Sequence, residues 1–383
     1  MPNRSVNLKS STNHKIDYRF KILYAIGMVM IVAGHCNGGG INILADWFPY
    51  YSFHLGLFLF ASGYFYKEQN EQHVGQFILK KIKHLIIPLF LWNCFYAIFV
   101  SFLSLFGFSI GTPVTLEKLT TLVLTSGHQF LFNLGSWFVV PLFSIQVFNN
   151  LFRKITQKIE SPYKEWLILS IYLAIGVFGV YLSNHGWITG WQRMFVRFAS
   201  LLPFYEFGIL YHSKLEKHDR ISNIWYFSTI LIIQAIIVAI FHRPPSFIYA
   251  NPDIAKYGYF MPFISGAIGI ALWLRIAKIL EPAIGKSKIV NLIADNSFSI
   301  MVNHFLGFFI INSFYGLLLT KIFHAGRFDV ATFKSNIWYL YYPSGLPQFQ
   351  IFHLIAGISI PILIQLFLNN ITHIFKQRFK ISI

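Results

Sequence analysis

The run Leu85-Ile86-Ile87-Pro88-Leu89-Phe90-Leu91-Trp92-Asn93-Cys94-Phe95-Tyr96-Ala97-Ile98-Phe99-Val100-Ser101-Phe102-Leu103-Ser104-Leu105-Phe106 carries no charged residue. It starts directly after Lys80-Lys81-Ile82-Lys83-His84, so charge stops where the apolar run begins. About 20 such residues, wound as a helix, cross the hydrocarbon core of a bilayer. Similar runs recur on both sides, near 20–37, 47–66, 136–152, 166–183, 194–211, 224–241, 258–276, 298–319 and 350–370. Most are separated by charged, Pro- or Gly-bearing stretches such as Arg243-Pro244-Pro245. The stretch 119–134 is shorter and flecked with Thr125, Ser126, His128 and Asn133, which suits an interfacial or re-entrant piece. The spacing predicts an all-α polytopic membrane protein of about ten transmembrane helices.

Composition agrees. Of 383 residues, 55% are hydrophobic, 19% aromatic and 12% charged, with 42 Phe. Soluble domains carry roughly 25% charged residues, so disorder and an ordinary soluble enzyme are both excluded. Two cysteines, Cys36 and Cys94, are too few for a disulfide framework or a thiolate metal site. The histidines do not sit at metal-ligand spacing within one helix, so no metal and no bound cofactor is expected. P-loop, nucleophile-elbow, metalloprotease and dinucleotide-binding patterns are missing. The first apolar run is long and lacks a small-residue cleavage site, so no signal peptide is expected. The organisation follows: a cytoplasmic N-terminal segment 1–19, a membrane domain 20–370 and a basic tail 371–383.

The net charge of +17 sets orientation. With the N-terminus cytoplasmic, 23 of the 31 basic residues fall in inside segments and 8 outside. Every inside loop is basic and alternates with a poorer one, as the positive-inside rule requires. Both termini are expected in the cytoplasm. The charge is spread over six segments beside anionic lipid headgroups, and nucleic acid is not an expected partner.

Polar groups at depth are costly in a bilayer and mark candidate sites. His35 ends the first span in Val32-Ala33-Gly34-His35-Cys36-Asn37-Gly38-Gly39-Gly40, where imidazole can take a proton near neutral pH. Cys36 is read as a packing residue. His54, in the returning second span, is expected near the depth of His35. Arg193 and Arg197, four apart, share a helix face and suit carboxylate or phosphate, or lipid headgroups. Glu206 is the one acidic residue placed well inside a span. Asn303 and His304 lie in the ninth span, as site residues or interhelical contacts.

Several blocks, in order, resemble the membrane acyltransferase-3 family, which includes fucose 4-O-acetylase-like and polysaccharide O-acetyltransferase proteins. They are Ile16-Asp17-Tyr18 through Gly34-His35, then Phe53-His54-Leu55-Gly56-Leu57-Phe58-Leu59-Phe60-Ala61-Ser62-Gly63-Tyr64, then Lys80 through Pro88. Weaker echoes are Ser136-Trp137-Phe138, Leu202-Pro203-Phe204 and Asn296 through His304. The resemblance implies transfer of an acyl group, usually acetyl from acetyl-CoA, to a hydroxyl of a surface glycan or lipid-linked saccharide. It implies His35 as the catalytic residue and a bacterial inner membrane as the location. The family's Arg, eleven positions before that His, is here Tyr24. Lys21 falls within about 40° of the His35 face and roughly 21 Å below it, and can supply the missing cation.

On this reading Lys21, Lys80, Lys81 and Lys83 receive the anionic acyl-CoA, and His35 acts as general base or acyl carrier. His54, Asn303 or His304 would hold the thioester oxygen or substrate, and Arg193 and Arg197 an acidic acceptor. The alternative is a transporter or flippase for a glycan or lipid-linked sugar, which would need neither acyl-CoA nor His35.

Overall fold

The computed structural model describes residues 16–36, 43–318 and 328–379. The glycine run after His35, the segment 1–15, Lys321, Arg327 and Lys380 lie outside the described residues.

Among the described residues, ten long helices follow one another. The first two are α1 (Tyr18–Gly34) and α2 (Tyr50–Tyr64). Next come α3 (Val74–Ser104), α4 (Leu134–Lys158), α5 (Lys164–Asn184) and α6 (Gly190–His218). The last are α7 (Asn223–Phe241), α8 (Met261–Ile284), α9 (Ser297–Leu317) and α10 (Pro347–Ile374). The described residues contain no strand, only the lone bridge Ile248–Asp253. Among the described residues, eight helices, α3 to α10, are long and apolar enough to cross a membrane. The chain is an all-α polytopic membrane protein.

The first helix, of 17 residues, is shifted toward the N-terminus of its run 20–37, and the second, of 15 residues, is shorter than its run 47–66. Asp17 caps α1 by accepting from the Arg19 N–H at 3.1 Å, and the helix ends at Gly34. Pro49, which lacks an N–H, starts α2 three residues later than the apolar run does. Both helices lie in the middle of the bundle, where their length need not match a lipid thickness. α1 packs on α2, α8 and α9, while α2 packs on α1, α6 and α8. Ile224, Trp225, Ile232 and Ile240 of α7 instead face outward, as a lipid-covered helix requires.

Small residues let α2 and α6 approach at backbone distance. A Cβ on Gly63 would overlap the Tyr205 carbonyl, and one on Gly208 would overlap the Phe60 carbonyl. The 119–134 stretch turns into the bundle: after short helices Leu116–Leu119 and Thr121–Thr125, the residues Gln129, Phe130, Phe132 and Asn133 are buried. Gln129 donates to Asn93 of α3, which holds the turn in place.

Candidate active site

Two histidines from opposite ends of the sequence meet where α1 terminates. His35 is the C-cap of α1, its N–H shared between the carbonyls of Ile31 (3.2 Å) and Val32 (3.1 Å). His304 is buried in α9, and its Nε2 lies 3.2 Å from His35 Nδ1. The rings are 4.9 Å apart and 25° from parallel.

Their hydrogen bonds assign the tautomers. His304 Nδ1 is 3.0 Å from two carbonyl oxygens, Ile300 and Met301. Carbonyls only accept, so Nδ1 carries the proton and neutral His304 presents a lone pair at Nε2. That lone pair accepts from His35 Nδ1–H. The second nitrogen of His35, Nε2, is then an unprotonated imidazole nitrogen, able to act as base or nucleophile.

The surroundings fix this pair. The hydroxyl of Tyr342 and the amide of Gln350 each donate to the Cys36 carbonyl at 2.6 Å, which anchors the residue after His35. Burial pushes the Tyr342 hydroxyl up to about 12, so it remains a donor at neutral pH. Trp338 lies over His35 with ring centres 5.8 Å apart, and its own exposure of 39% leaves a face open. Asn312 holds that loop, donating to the Tyr339 carbonyl at 2.7 Å and accepting from the Tyr341 N–H at 3.0 Å. Gly135 is pressed against the Met301 carbonyl, so a Cβ there would collide with the group that orients His304.

Below His35 is a small cavity of about 50 Å³ lined by both His35 and His54. Tyr51 stands edge-on to both rings, 6.2 Å from His35 and 5.3 Å from His54. His54 Nδ1 sits 2.5 Å from the Tyr50 carbonyl, so it too presents a bare Nε2 when neutral.

A family model described as an acyltransferase domain matches residues 17–366, from α1 into α10. The chain belongs to the acyltransferase-3 family. It is a multi-pass membrane acyltransferase. No curated protein and no solved structure matches it.

Other expected site residues of the acyltransferase are placed differently. Neutral His54 offers the cavity an acceptor and no donor. Asn303 is buried one position from His304, but it accepts from Tyr96 at 2.6 Å and donates to Ser299 at 3.3 Å, so neither amide group is directed at His35. Arg193 and Arg197 share a helix but not a ligand. Arg193 turns back to the Ile188 carbonyl at 2.5 Å. Arg197 is buried over the Trp137 ring at 4.5 Å and donates to the carbonyls of Thr125, Ser126 and Ala250. It ties together three segments above the cavity, which is a positioning arrangement.

At the opposite end of the bundle Lys21 is paired with Asp295, and Lys80 and Lys83 are exposed. Lys81 is half-buried over the Phe77 ring at 5.2 Å. Tyr24 stacks at a tilt on Phe58, 5.3 Å between centres, filling space in the core. A groove of about 820 Å³ opens in this half, lined by Trp92 and Phe95 of α3, Phe298 and Ser299 of α9, and Ile364 and Phe367 of α10. Asp295 and His84 are also on its wall, so the Lys21 pair borders it. The groove's inner end at Ser299 is roughly 7.5 Å of helix below His304. Tyr96 and Asn303 lie between the two.

Glu206 finds its cation in Arg153, at 2.8 Å, and Glu165 shares the same guanidinium at 2.5 Å. Arg153, in the last turns of α4, is itself buried and is not a free loop charge. Tyr51, Gly135, Trp338 and Tyr342 were not legible as site residues. Their only sequence signals were aromatic clustering and, for Gly135, its place before Ser136-Trp137-Phe138.

Proposed function

We propose that this acyltransferase moves an acetyl group from cytoplasmic acetyl-CoA to a hydroxyl of an extracytoplasmic or lipid-linked glycan, with His35 as general base. The observation that carries this reading is the bare Nε2 of His35, held in that tautomer by His304. The acceptor hydroxyl gives its proton to His35 Nε2 as its oxygen bonds to the thioester carbon. The carbon–sulfur bond then breaks, and the departing thiolate recovers the proton from the imidazolium, so no net proton is released. As Nε2 becomes protonated, the Nδ1–H bond to His304 strengthens, because a charged donor bonds more strongly.

Topology supports the same reading. The distribution of Lys and Arg favours both chain ends on the cytoplasmic side, and the family resemblance favours a bacterial inner membrane. The basic side chains Lys21, Lys80, Lys81 and Lys83 then face the anionic coenzyme, and the groove between α3, α9 and α10 offers its arm a path toward the histidines. The exposed indole of Trp338 stands where a sugar ring would approach His35 from the other side.

The test uses purified protein in vesicles with radiolabelled acetyl-CoA and bacterial surface glycan. Wild type is expected to label the glycan, and His35→Ala, folded and inserted, is expected to label nothing. Undiminished labelling by the variant would end the general-base assignment. Label retained on the protein alone would replace it with an acyl carrier.

A further inference from the structure

Acyl transfer develops negative charge on the thioester oxygen, and a site that accelerates it needs a hydrogen-bond donor aimed at that atom. None of the three candidates from the sequence supplies one, since the Nδ1–H of His304 is spent on the Ile300 and Met301 carbonyls. Neutral His54 faces the cavity with a lone pair, and the Asn303 amide is used by Ser299.

The cavity wall does contain an uncommitted buried hydroxyl. Tyr249, from the segment between α7 and α8, lines the cavity and is 3% exposed. Its hydroxyl has no hydrogen-bond partner among the described residues. A buried hydroxyl left unpaired costs free energy, and such a group in a native structure points to a missing partner. Burial raises this hydroxyl above its ordinary value, so it stays a donor.

Much of the remaining wall is apolar and close. Ile31, Leu55, Phe138 and Met301 surround a space of about 50 Å³. At about 30 Å³ per water, that is roughly two water-sized heavy atoms. The walls are also held: a Cβ on Gly56, beside Leu55, would already press on the Phe204 ring. Packed interiors of this kind resist expansion. Moreover, the cavity lies against α2 and the start of α4, whereas the groove lies against α3 and α10. A thioester at the His35–His304 pair would leave its carrier on the groove side and its acyl group on the cavity side.

We propose that this cavity is the acyl pocket, that Tyr249 donates to the thioester oxygen there, and that Leu55 and Phe138 limit the acyl group to about two carbons. The proposal rests on the acyl-CoA reading above and deepens it. One methylene too many in an apolar pocket costs roughly 10- to 200-fold in discrimination.

The experiment compares acetyl-, butyryl- and hexanoyl-CoA, radiolabelled in the acyl group, with surface glycan and protein in vesicles. Wild type is expected to use acetyl-CoA at least about 10-fold better than butyryl-CoA. Leu55→Ala should raise the butyryl-to-acetyl ratio about 10-fold or more. Tyr249→Phe should lower kcat about 10²- to 10³-fold with little change in KM for acetyl-CoA. Because that hydroxyl has no partner, its removal should leave the thermal unfolding midpoint unchanged, which separates a catalytic effect from misfolding. Wild-type acetyl transfer with both variants unchanged in rate and chain-length ratio would overturn the acyl pocket and leave the donor reading standing. No transfer from any acyl-CoA by folded wild type would overturn the donor reading itself, and the pocket with it.

Discussion

At the scale of single residues, the site depends on two carbonyl groups more than on any charge. Ile300 and Met301 fix the proton on His304 Nδ1, and that proton fixes the tautomer of His35. His304 is therefore a positioning residue, acting through His35. Replacing it with Ala should lower kcat for acyl transfer about 10²- to 10⁴-fold, the usual range for acid–base assistance. His304→Gln should recover part of that loss, because the amide oxygen can still accept from His35 Nδ1–H. KM for the donor should change little in either variant. Steady-state kinetics on both variants would check this, and equal losses from Ala and Gln would refute the tautomer argument. Both histidines could be nominated from sequence, since each is a costly group inside an apolar run. Their pairing could not, because 269 residues separate them and nothing local records the contact. The same limit hid Tyr249, which sits in a polar loop where a tyrosine attracts no notice.

At the scale of elements, hydropathy locates the helices but not their ends. Backbone chemistry sets where the first two begin: Asp17 caps α1 two residues before its apolar run, and Pro49 starts α2 three residues after its own run begins. Hydropathy also cannot separate a central helix from a peripheral one, since α2 and α7 are both strongly apolar. What distinguishes α2 is its glycines. Gly63 and Gly208 face each other's helices at backbone distance, which fixes how far α2 can sit from α6. Substituting Gly208 by Val forces the helices apart and should destabilise the protein by about 1–3 kcal/mol, as overpacking does. Because α2 carries Tyr51 and His54, acyl transfer should fall with it. Gly75, at the start of α3, has nothing within 4 Å of an added Cβ. Gly75→Ala should stay within about 0.5 kcal/mol of wild type. Thermal unfolding in detergent would compare the two, and equal midpoints would remove the close-contact argument.

At the scale of the whole molecule, the two ends of the bundle carry different chemistry. One end gathers ion pairs: Arg19 with Asp17 and Glu216, Arg153 with Glu165 and Glu206, Arg275 with Asp219. The other holds the histidines, Trp338 and the cavity. Sequence alone assigns the first end to the cytoplasm, because loops there are rich in Lys and Arg while those at the histidine end are poor. That assignment decides which solution the acceptor comes from, so it can be tested without knowing the acceptor. Ser161, between α4 and α5, and His185, between α5 and α6, are both exposed and lie at opposite ends. Cys94 is exposed and Cys36 buried, so a Cys94→Ser background leaves little native labelling. In intact cells a membrane-impermeant thiol reagent should label His185→Cys and spare Ser161→Cys until the membrane is opened. The reverse pattern would turn the histidine pair toward the cytoplasm. Donor and acceptor would then share one compartment, and an extracytoplasmic glycan could no longer be the substrate. With the proposed cytoplasmic donor, the expected pattern instead requires the acyl group to cross most of the bilayer before it reaches His35 at the far end of α1.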